Sequence, residues 1–239
     1  MVTIEAATLH FQELNKMVKS AQGEVCINNC LGQRFIASGA KEKTVIINGT
    51  PGNALGAYLN GAKINVNGNV QDAVGDTMNE GKIIIHGSAG DALGYAMRGG
   101  TIFVKNDAGY RTGIHMKEYN DKKPVIIIGG SVGSFLGEYL AGGLIIVLGK
   151  NTNEIPVGHF TGTGMHGGRI FIRTDKSLSA LPTQVVTEEA TPEELEEIRP
   201  YISEFSEYFG AENQSLLNDR FLVLKPNAKN PYKQMYVEN

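Results

Sequence analysis

The sequence predicts an all-β fold, a right-handed parallel β-helix: one single-stranded solenoid of about eight coils with an N-terminal capping helix and a partly helical C-terminal tail. Three observations predict it: a short aliphatic phrase recurs, its apolar positions alternate with period two, and glycines recur in step with it. The clearest copies are Ile64-Asn65-Val66-Asn67-Gly68, Ile83-Ile84-Ile85-His86-Gly87 and Ile102-Phe103-Val104-Lys105. Copies begin at residues 25, 45, 64, 83, 102, 125, 145 and 170, so the step stays near 20 residues and lengthens twice. A repeat that short cannot hold a helix pair, and a period of two excludes a helical solenoid.

The first strand position reads Val25, Val45, Ile64, Ile83, Ile102, Val125, Ile145, Ile170, and the third reads Ile27, Ile47, Val66, Ile85, Val104, Ile127, Val147, Ile172. Residues two apart on a strand share a face, so both columns are expected to point into one interior. Coils stacked at roughly 4.8 Å would lay β-branched side chains over one another, in a column on the order of 35 to 40 Å tall. Of the 30 glycines, 29 lie between Gly23 and Gly168. Gly32, Gly56, Gly75, Gly94, Gly113, Gly137 and Gly158 are read as one corner column, suited to positive φ and close backbone approach. Apolar neighbours before it (Leu31, Leu55, Val74, Leu93, Leu136, Val157) and after it (Phe35, Leu59, Met78, Met97, Met116, Leu140) are expected to line the other interior walls, with Thr112 the weak member. The hand follows the rule for parallel crossovers.

Taken in order, residues 1–22 are expected to form a capping helix. Thr8 is a cap candidate, and Leu9, Leu14, Met17, Val18 and Ala21 give an apolar stripe stopped by Gly23. Residues 23–175 are the solenoid. Two irregular stretches, Met116 to Pro124 and Asn151 to Gly168, are its expected contact loops. Residues 176–239 form a linker and helical tail packing on the solenoid. From Asp175 onward there are 12 acidic and 6 basic residues, which leaves 13 acidic and 16 basic for the rest of a chain whose net charge is −3. Ser177 to Val186 reads as an extended linker. Thr191-Pro192-Glu193-Glu194 is a helix start, and Leu195, Ile198, Ile202, Phe205 and Phe209 continue at helical spacing to Gly210, with a kink or restart expected at Pro200. A short helix over Ser215 to Arg220 and a strand from Phe221 to Lys225 follow.

The charge balance and the lack of a basic stripe argue against nucleic acid and membrane surfaces as partners. Met1 to Ser20 is polar and no apolar run has the length of a membrane span, so a cytoplasmic protein is expected. Cys26 and Cys30 are the only cysteines, too few for a disulfide framework or a four-thiolate cluster.

A solenoid of this kind would carry any chemistry on its outward columns. The second strand position (Cys26, Ile46, Asn65, Ile84, Phe103, Ile126, Ile146, Phe171) is almost wholly apolar and must be covered, by the terminal helices or by another protein. On that view Ile84→Lys would leave the chain folded and weaken assembly. The fourth position (Asn28, Asn48, Asn67, His86, Lys105, Ile128, Leu148, Arg173) suggests a stacked amide ladder and a polar rim at His86 and Lys105. Asp72 and Asp91, with Asn53 beneath, stand at equivalent corners; a carboxylate pair can serve as acid and base, although Asx residues are also ordinary turn formers. His10, His86, His115, His159 and His166 lack the spacing of a zinc site. The expectation is no catalytic, cofactor-binding or metal-binding residue in this chain.

The stretches Gly52-Asn53-Ala54-Leu55-Gly56-Ala57-Tyr58-Leu59, Asp72-Ala73-Val74-Gly75, Gly90-Asp91-Ala92-Leu93-Gly94 and Gly137-Glu138-Tyr139-Leu140-Ala141-Gly142-Gly143 resemble the glycine-repeat (GXGXG) C-terminal domain of the glutamate synthase large subunit. The scaffold subunit of formylmethanofuran dehydrogenase carries the same repeat. The tail favours glutamate synthase: Tyr208-Phe209-Gly210, Leu216-Leu217, Phe221-Leu222-Val223-Leu224-Lys225-Pro226 and Tyr232-Lys233 are similar to the end of that chain, with Phe209 where the family tends to have Thr. The resemblance runs from about Asn28 to Tyr236. It implies a non-catalytic scaffold subunit of an enzyme that converts glutamine and 2-oxoglutarate to two glutamates with NADPH or ferredoxin electrons. The glutaminase nucleophile, FMN and iron–sulfur sites belong to other domains, so the implied partners are a glutamine amidotransferase subunit and an FMN/iron–sulfur synthase subunit, with self-association a further option. A β-helical polysaccharide lyase or hydrolase using Asp72 and Asp91 is the competitor from another class. The absence of Trp and of an outward aromatic row for sugar stacking weighs against it.

Overall fold

The computed structural model describes residues 1–178 and 181–227. Ser179 and Ala180 of the expected linker, and Tyr232, Lys233 and Tyr236 of the tail resemblance, lie outside the described residues.

The chain is a parallel β-solenoid. Nine strands stack in chain order: β1 (Val2–Glu5), β2 (Glu24–Leu31), β3 (Thr44–Thr50), β4 (Asn60–Asn67), β5 (Glu80–Ile85), β6 (Thr101–Val104), β7 (Val125–Ile128), β8 (Ala141–Val147) and β9 (Gly167–Arg173). The aliphatic ladders set the register, Val45 pairing with Ile64, Ile64 with Ile83 and Ile83 with Ile102. The first-position side chains of β2 to β6 are fully buried.

Two readings of the ladders change. The solenoid begins before Gly23, because β1 pairs in parallel with β2 and sets Val2 beside Val25 and Ile4 beside Ile27. Two alternating residues are too few to display a period. In β7 the phase is shifted by one: Ile102 pairs with Ile126 and Ile126 with Ile145, so Ile126 and Ile128 face the interior while Val125 and Ile127 face out. Four consecutive aliphatics carry no alternation from which to read a face.

The glycine column faces the first-position ladder. A Cβ on Gly75 would stand 2.5 Å from Ile102 Cδ1, and one on Gly94 2.4 Å from Ile126 Cδ1. Amide bonds between coils fix its members: Gly56 donates to Ile36 O, Gly75 to Leu55 O, Gly94 to Val74 O, Gly113 to Leu93 O, Gly137 to Thr112 O and Gly162 to Leu136 O. The ends of the column are therefore Ala37 and Gly162, not Gly32 and Gly158. Ile36 and Thr161 take the inward places read for Leu31 and Val157, and Phe35 lies outside. Thr112 and Thr161 are tolerated inside because each hydroxyl donates to a carbonyl three residues back, Gly109 O and Gly158 O.

This second wall is not a strand. Left-handed residues recur at alternate positions, Ala73, Gly75 and Thr77 in one coil, Ala92, Gly94 and Ala96 in the next. The alternation turns successive amides toward opposite neighbours: Ala92 donates forward to Tyr110 O, Gly94 back to Val74 O, and Ala96 forward to Ile114 O. Each non-glycine left-handed residue costs on the order of 1–3 kcal/mol, offset here by those inter-coil bonds.

Helix α1 (Phe11–Ser20) covers the open end of the core with Leu14 and Val18. Its N-cap is His10 rather than Thr8, and Lys43 Nζ donates to the terminal carbonyls of Val18 (2.5 Å) and Lys19 (3.3 Å). At the other end the polarity reverses. β11 (Phe221–Pro226) pairs antiparallel with β9, and β10 (Val185–Glu189), in part of the expected linker, pairs antiparallel with β11. Between them α2 (Pro192–Phe209) begins with a complete capping box at Thr191 and Glu194, and a 3₁₀ helix (Ala211–Asn218) follows. Helix α2 is one element through Pro200, with no restart.

Candidate interaction surfaces

The apolar outer face of the strands is covered from β5 onward by the chain itself. Ile84, Phe103, Ile127, Ile146 and Phe171 form one buried cluster with Ile198, Ile202, Phe205 and Phe209 of α2 and with Phe221 and Val223 of β11. Ile84 is fully buried there, so its face is internal and the expectation that Ile84→Lys leaves the fold untouched is overturned. The charge asymmetry is spent at the same seam: Lys82 pairs with Glu204, Lys123 with Glu197, Arg169 with Glu194 and Glu197, and Arg173 with Asp219. Burial alone would raise the carboxyl pKa of Glu194. The hydrogen bonds from Lys225 and from the Thr191 backbone, with the charges of Lys225 and Arg169, outweigh it and hold the group below its ordinary value.

The corner carboxylates bind backbone. Asp91 N–H donates to Asp72 Oδ1 at 2.9 Å, Tyr110 N–H to Asp91 Oδ1 at 2.8 Å, and Ser131 N–H to Asp107 Oδ1 at 2.7 Å. The next coil has a glycine wherever such a carboxylate lies, since a Cβ on Gly90 would sit 2.2 Å from Asp72 Oδ1 and one on Gly109 2.2 Å from Asp91 Oδ1. Asn53 does the same for Asp72 N–H at 3.3 Å. Asp72 and Asp91 thus carry out the work of turn residues.

The amide ladder is present and directional. Asn67 Nδ2 donates to Asn48 Oδ1, Asn48 Nδ2 to Asn28 Oδ1, and Asn28 Nδ2 to Glu5 Oε1, each at 2.8 Å. Cys26 lies against it, 3.6 Å from Asn48 Nδ2. Cys30 is buried, which pushes its thiol up to about 11. His86 meets Phe209 edge-on at 5.2 Å; burial first, then the charge of Lys105, lowers its imidazole pKa. His166 Nδ1 lies 3.1 Å from Gly164 O, and His159 is exposed beside Phe160. Among the described residues no three His, Cys, Asp or Glu side chains stand close enough to share a metal ion, and no helix is long and apolar enough to cross a membrane.

The glycine wall carries outward aromatics that the sequence reading missed. His115 stacks on Tyr139 at 5.1 Å, with Tyr95 edge-on to His115 at 5.9 Å, and Phe135 stacks on Phe160 at 5.0 Å. Tyr58, Tyr110 and Phe35 are also exposed there. The signal was available as residues one or two places after a column member, or two or three before it, but it shows only when the column is phased correctly. Of the expected contact loops, Tyr119 and Lys122 bridge to each other, and Lys122 pairs with Glu80 of the solenoid. The stretch Asn151 to Gly168 is an excursion only in its first half, because His159 to Met165 is itself a coil of the glycine wall.

Comparisons with known proteins agree with this architecture. An uncharacterised protein of Methanocaldococcus jannaschii is 43% identical, the match covering 98% of this chain and 96% of that protein. Among solved structures, a chain of the formyltransferase/hydrolase complex FhcABCD of Methylorubrum extorquens, solved with methylofuran, superposes with a TM-score of 0.65 over 83% of this chain and 71% of that one; at 20% identity it shows the fold alone. The profile of the GXGXG motif matches residues 8–227, which takes in solenoid and tail together, and the chain belongs to the GXGXG motif family.

Proposed function

We propose that the chain is the structural subunit of a glutamate synthase, a rigid post that holds a glutamine amidotransferase subunit and an FMN/iron–sulfur synthase subunit in fixed relation in the cytoplasm. The observation that carries this reading is how the polar groups are used. Asp72, Asp91 and Asp107 bind backbone amides, and the amide ladder binds itself, so the side chains most suited to chemistry already serve the fold. The family match through the tail supports it. Channelling ammonia between separate sites requires partners held in one orientation, which a stiff column provides. The polysaccharide-enzyme reading is disfavoured because both of its carboxylates are engaged.

A second reading has one specific observation behind it: the solved relative belongs to a formyltransferase/hydrolase complex, which favours a scaffold role in a formylmethanofuran-type assembly. A tagged pull-down from the native cell, followed by assay of the co-eluting material, separates the two. Bound flavin and glutamine-dependent glutamate formation from 2-oxoglutarate, lost when this chain is omitted from reconstitution, are the expected outcome. Co-elution of formyl-transfer activity instead would move the chain to the second reading, and turnover by the purified chain alone would sink both.

A further inference from the structure

Two pairs of the outward aromatics of the glycine wall are placed symmetrically about one coil, while Phe135 and Tyr110 match Ala54 and Asp72. Numbering coils by their strands, the wall segments are Arg34–Ala40 (coil 2), Asn53–Leu59 (3), Asp72–Met78 (4), Asp91–Met97 (5), Tyr110–Met116 (6), Ser134–Leu140 (7) and His159–Met165 (8), aligned by their inter-coil amide bonds. Phe35 on coil 2 and Phe160 on coil 8 hold the same place in their segments, as do Tyr58 on coil 3 and Tyr139 on coil 7. Tyr95, 40% exposed, lies on coil 5, midway. Charge is distributed about the same coil. Asp72 and Asp76 on coil 4 have no ion-pair partner among the described residues, and the matching positions on coil 6 are Tyr110 and Ile114, the latter flanked by His115 and near Arg111, which also holds Glu138 of its own chain at 3.2 Å.

We infer that this wall is a self-complementary interface: two copies of the chain meet face to face and antiparallel, about a two-fold axis that lies in the plane of the wall, across the column and parallel to the coil 5 segment, beside Tyr95. Coil 4 then faces coil 6 of the second copy, coil 3 faces coil 7 and coil 2 faces coil 8. Phe35 meets Phe160, Tyr58 meets Tyr139, the Asp72 carboxylate meets the Tyr110 phenol, and Asp76 stands between Arg111 and His115. An isologous contact requires such reciprocity, each residue and its opposite occurring twice. Seven coils span roughly 30 Å, the breadth of an interface of about 800 Å² per partner, and exposed aromatics are the residues such interfaces favour. Asp91 meets its own copy at the edge of the wall, where water and salt screen the repulsion. The pairing does not depend on which complex the chain joins.

Tyr95 on the axis makes a direct test possible with the full chain. By sedimentation velocity the wild-type protein should run at twice the 25.8 kDa chain mass. Tyr95→Lys and Tyr95→Glu each bring like charges together on the axis and should sediment as monomers, with dimer dissociation constants raised at least tenfold. Mixed in equal amounts they should pair again, since lysine then faces glutamate. Unchanged far-UV circular dichroism of both variants keeps misfolding apart from dissociation. A monomeric wild-type chain would assign the wall to a different partner and overturn the inference; so would variants that dimerise as well as wild type, or a mixture that stays monomeric.

Discussion

Gly94 and Ile126 are two halves of one contact. The glycine adopts φ +68° and leaves room for an isoleucine from two coils away whose Cδ1 would otherwise lie 2.4 Å from a Cβ. Gly94→Ala therefore meets both a steric and a conformational penalty, and should lower stability in urea unfolding by about 2–4 kcal/mol. Ile126→Val alone should cost about 1 kcal/mol. Combined with Gly94→Ala it should cost less than the sum, because it removes the clashing methyl. Strict additivity would mean that Ile126 does not face Gly94. The same contact explains what was legible at this level. The Val/Ile ladders and most of the glycine column could be read directly, whereas the phase of Val125-Ile126-Ile127-Ile128 could not, since every choice places an aliphatic inside. Asp72 and Asp91 were readable as turn residues from their type; that each needs a glycine one coil on is visible only in three dimensions.

Helix α2 is held by an apolar seam more than by its ion pairs. Partly exposed pairs contribute roughly 0–1 kcal/mol each, while a buried Phe or Ile contributes about 1.5–3 kcal/mol. Phe205→Ala should cost about 3–5 kcal/mol and Thr191→Ala about 1 kcal/mol through loss of the capping box; Lys123→Ala should cost less than either in the same urea titration. Ile84→Lys buries an unpaired charge beneath α2, so it should abolish cooperative unfolding or yield insoluble protein. Glu194 ties the seam to acid pH, together with His86, whose lowered imidazole lies against Phe209. The folded pKa of Glu194 lies below the unfolded carboxylate value of roughly 4.3, so its contribution is complete above that value and is lost as pH falls through the folded one. Near-UV circular dichroism of the aromatic seam should change only in the acid range. A seam signal flat to pH 2, or lost on raising the pH instead, would remove Glu194 from that role. The helix itself was plain in Thr191-Pro192-Glu193-Glu194 and the apolar spacing behind it. Strand β10 was hidden because its Val185-Val186-Thr187-Glu188-Glu189 finds its partner only in a segment more than thirty residues further on.

Along the whole molecule each coil touches mainly its two neighbours, so stability is a sum of local terms and not a single global quantity. Coils 5 to 8 are buttressed by α2, while coils 2 to 4 present Cys26, Ile46 and Asn65 half-exposed on the matching face. Hydrogen exchange should therefore be slowest in β5 to β8 and faster in β2 to β4, even though all of these strands are paired on both edges. Uniform protection from β2 to β9 would mean that the column opens as one unit.

Reversal of direction at β11 has its own consequence. A stack of parallel rungs offers each newcomer the template of the last one, and nothing within a nineteen-residue period says where to stop. By laying an antiparallel strand over β9 and shielding it with β10, whose edge carries Glu188 and Glu189, the polypeptide removes that template. Head-to-tail fibre growth is blocked at that pole, and the height of the molecule becomes a length written into its gene, as on a ruler.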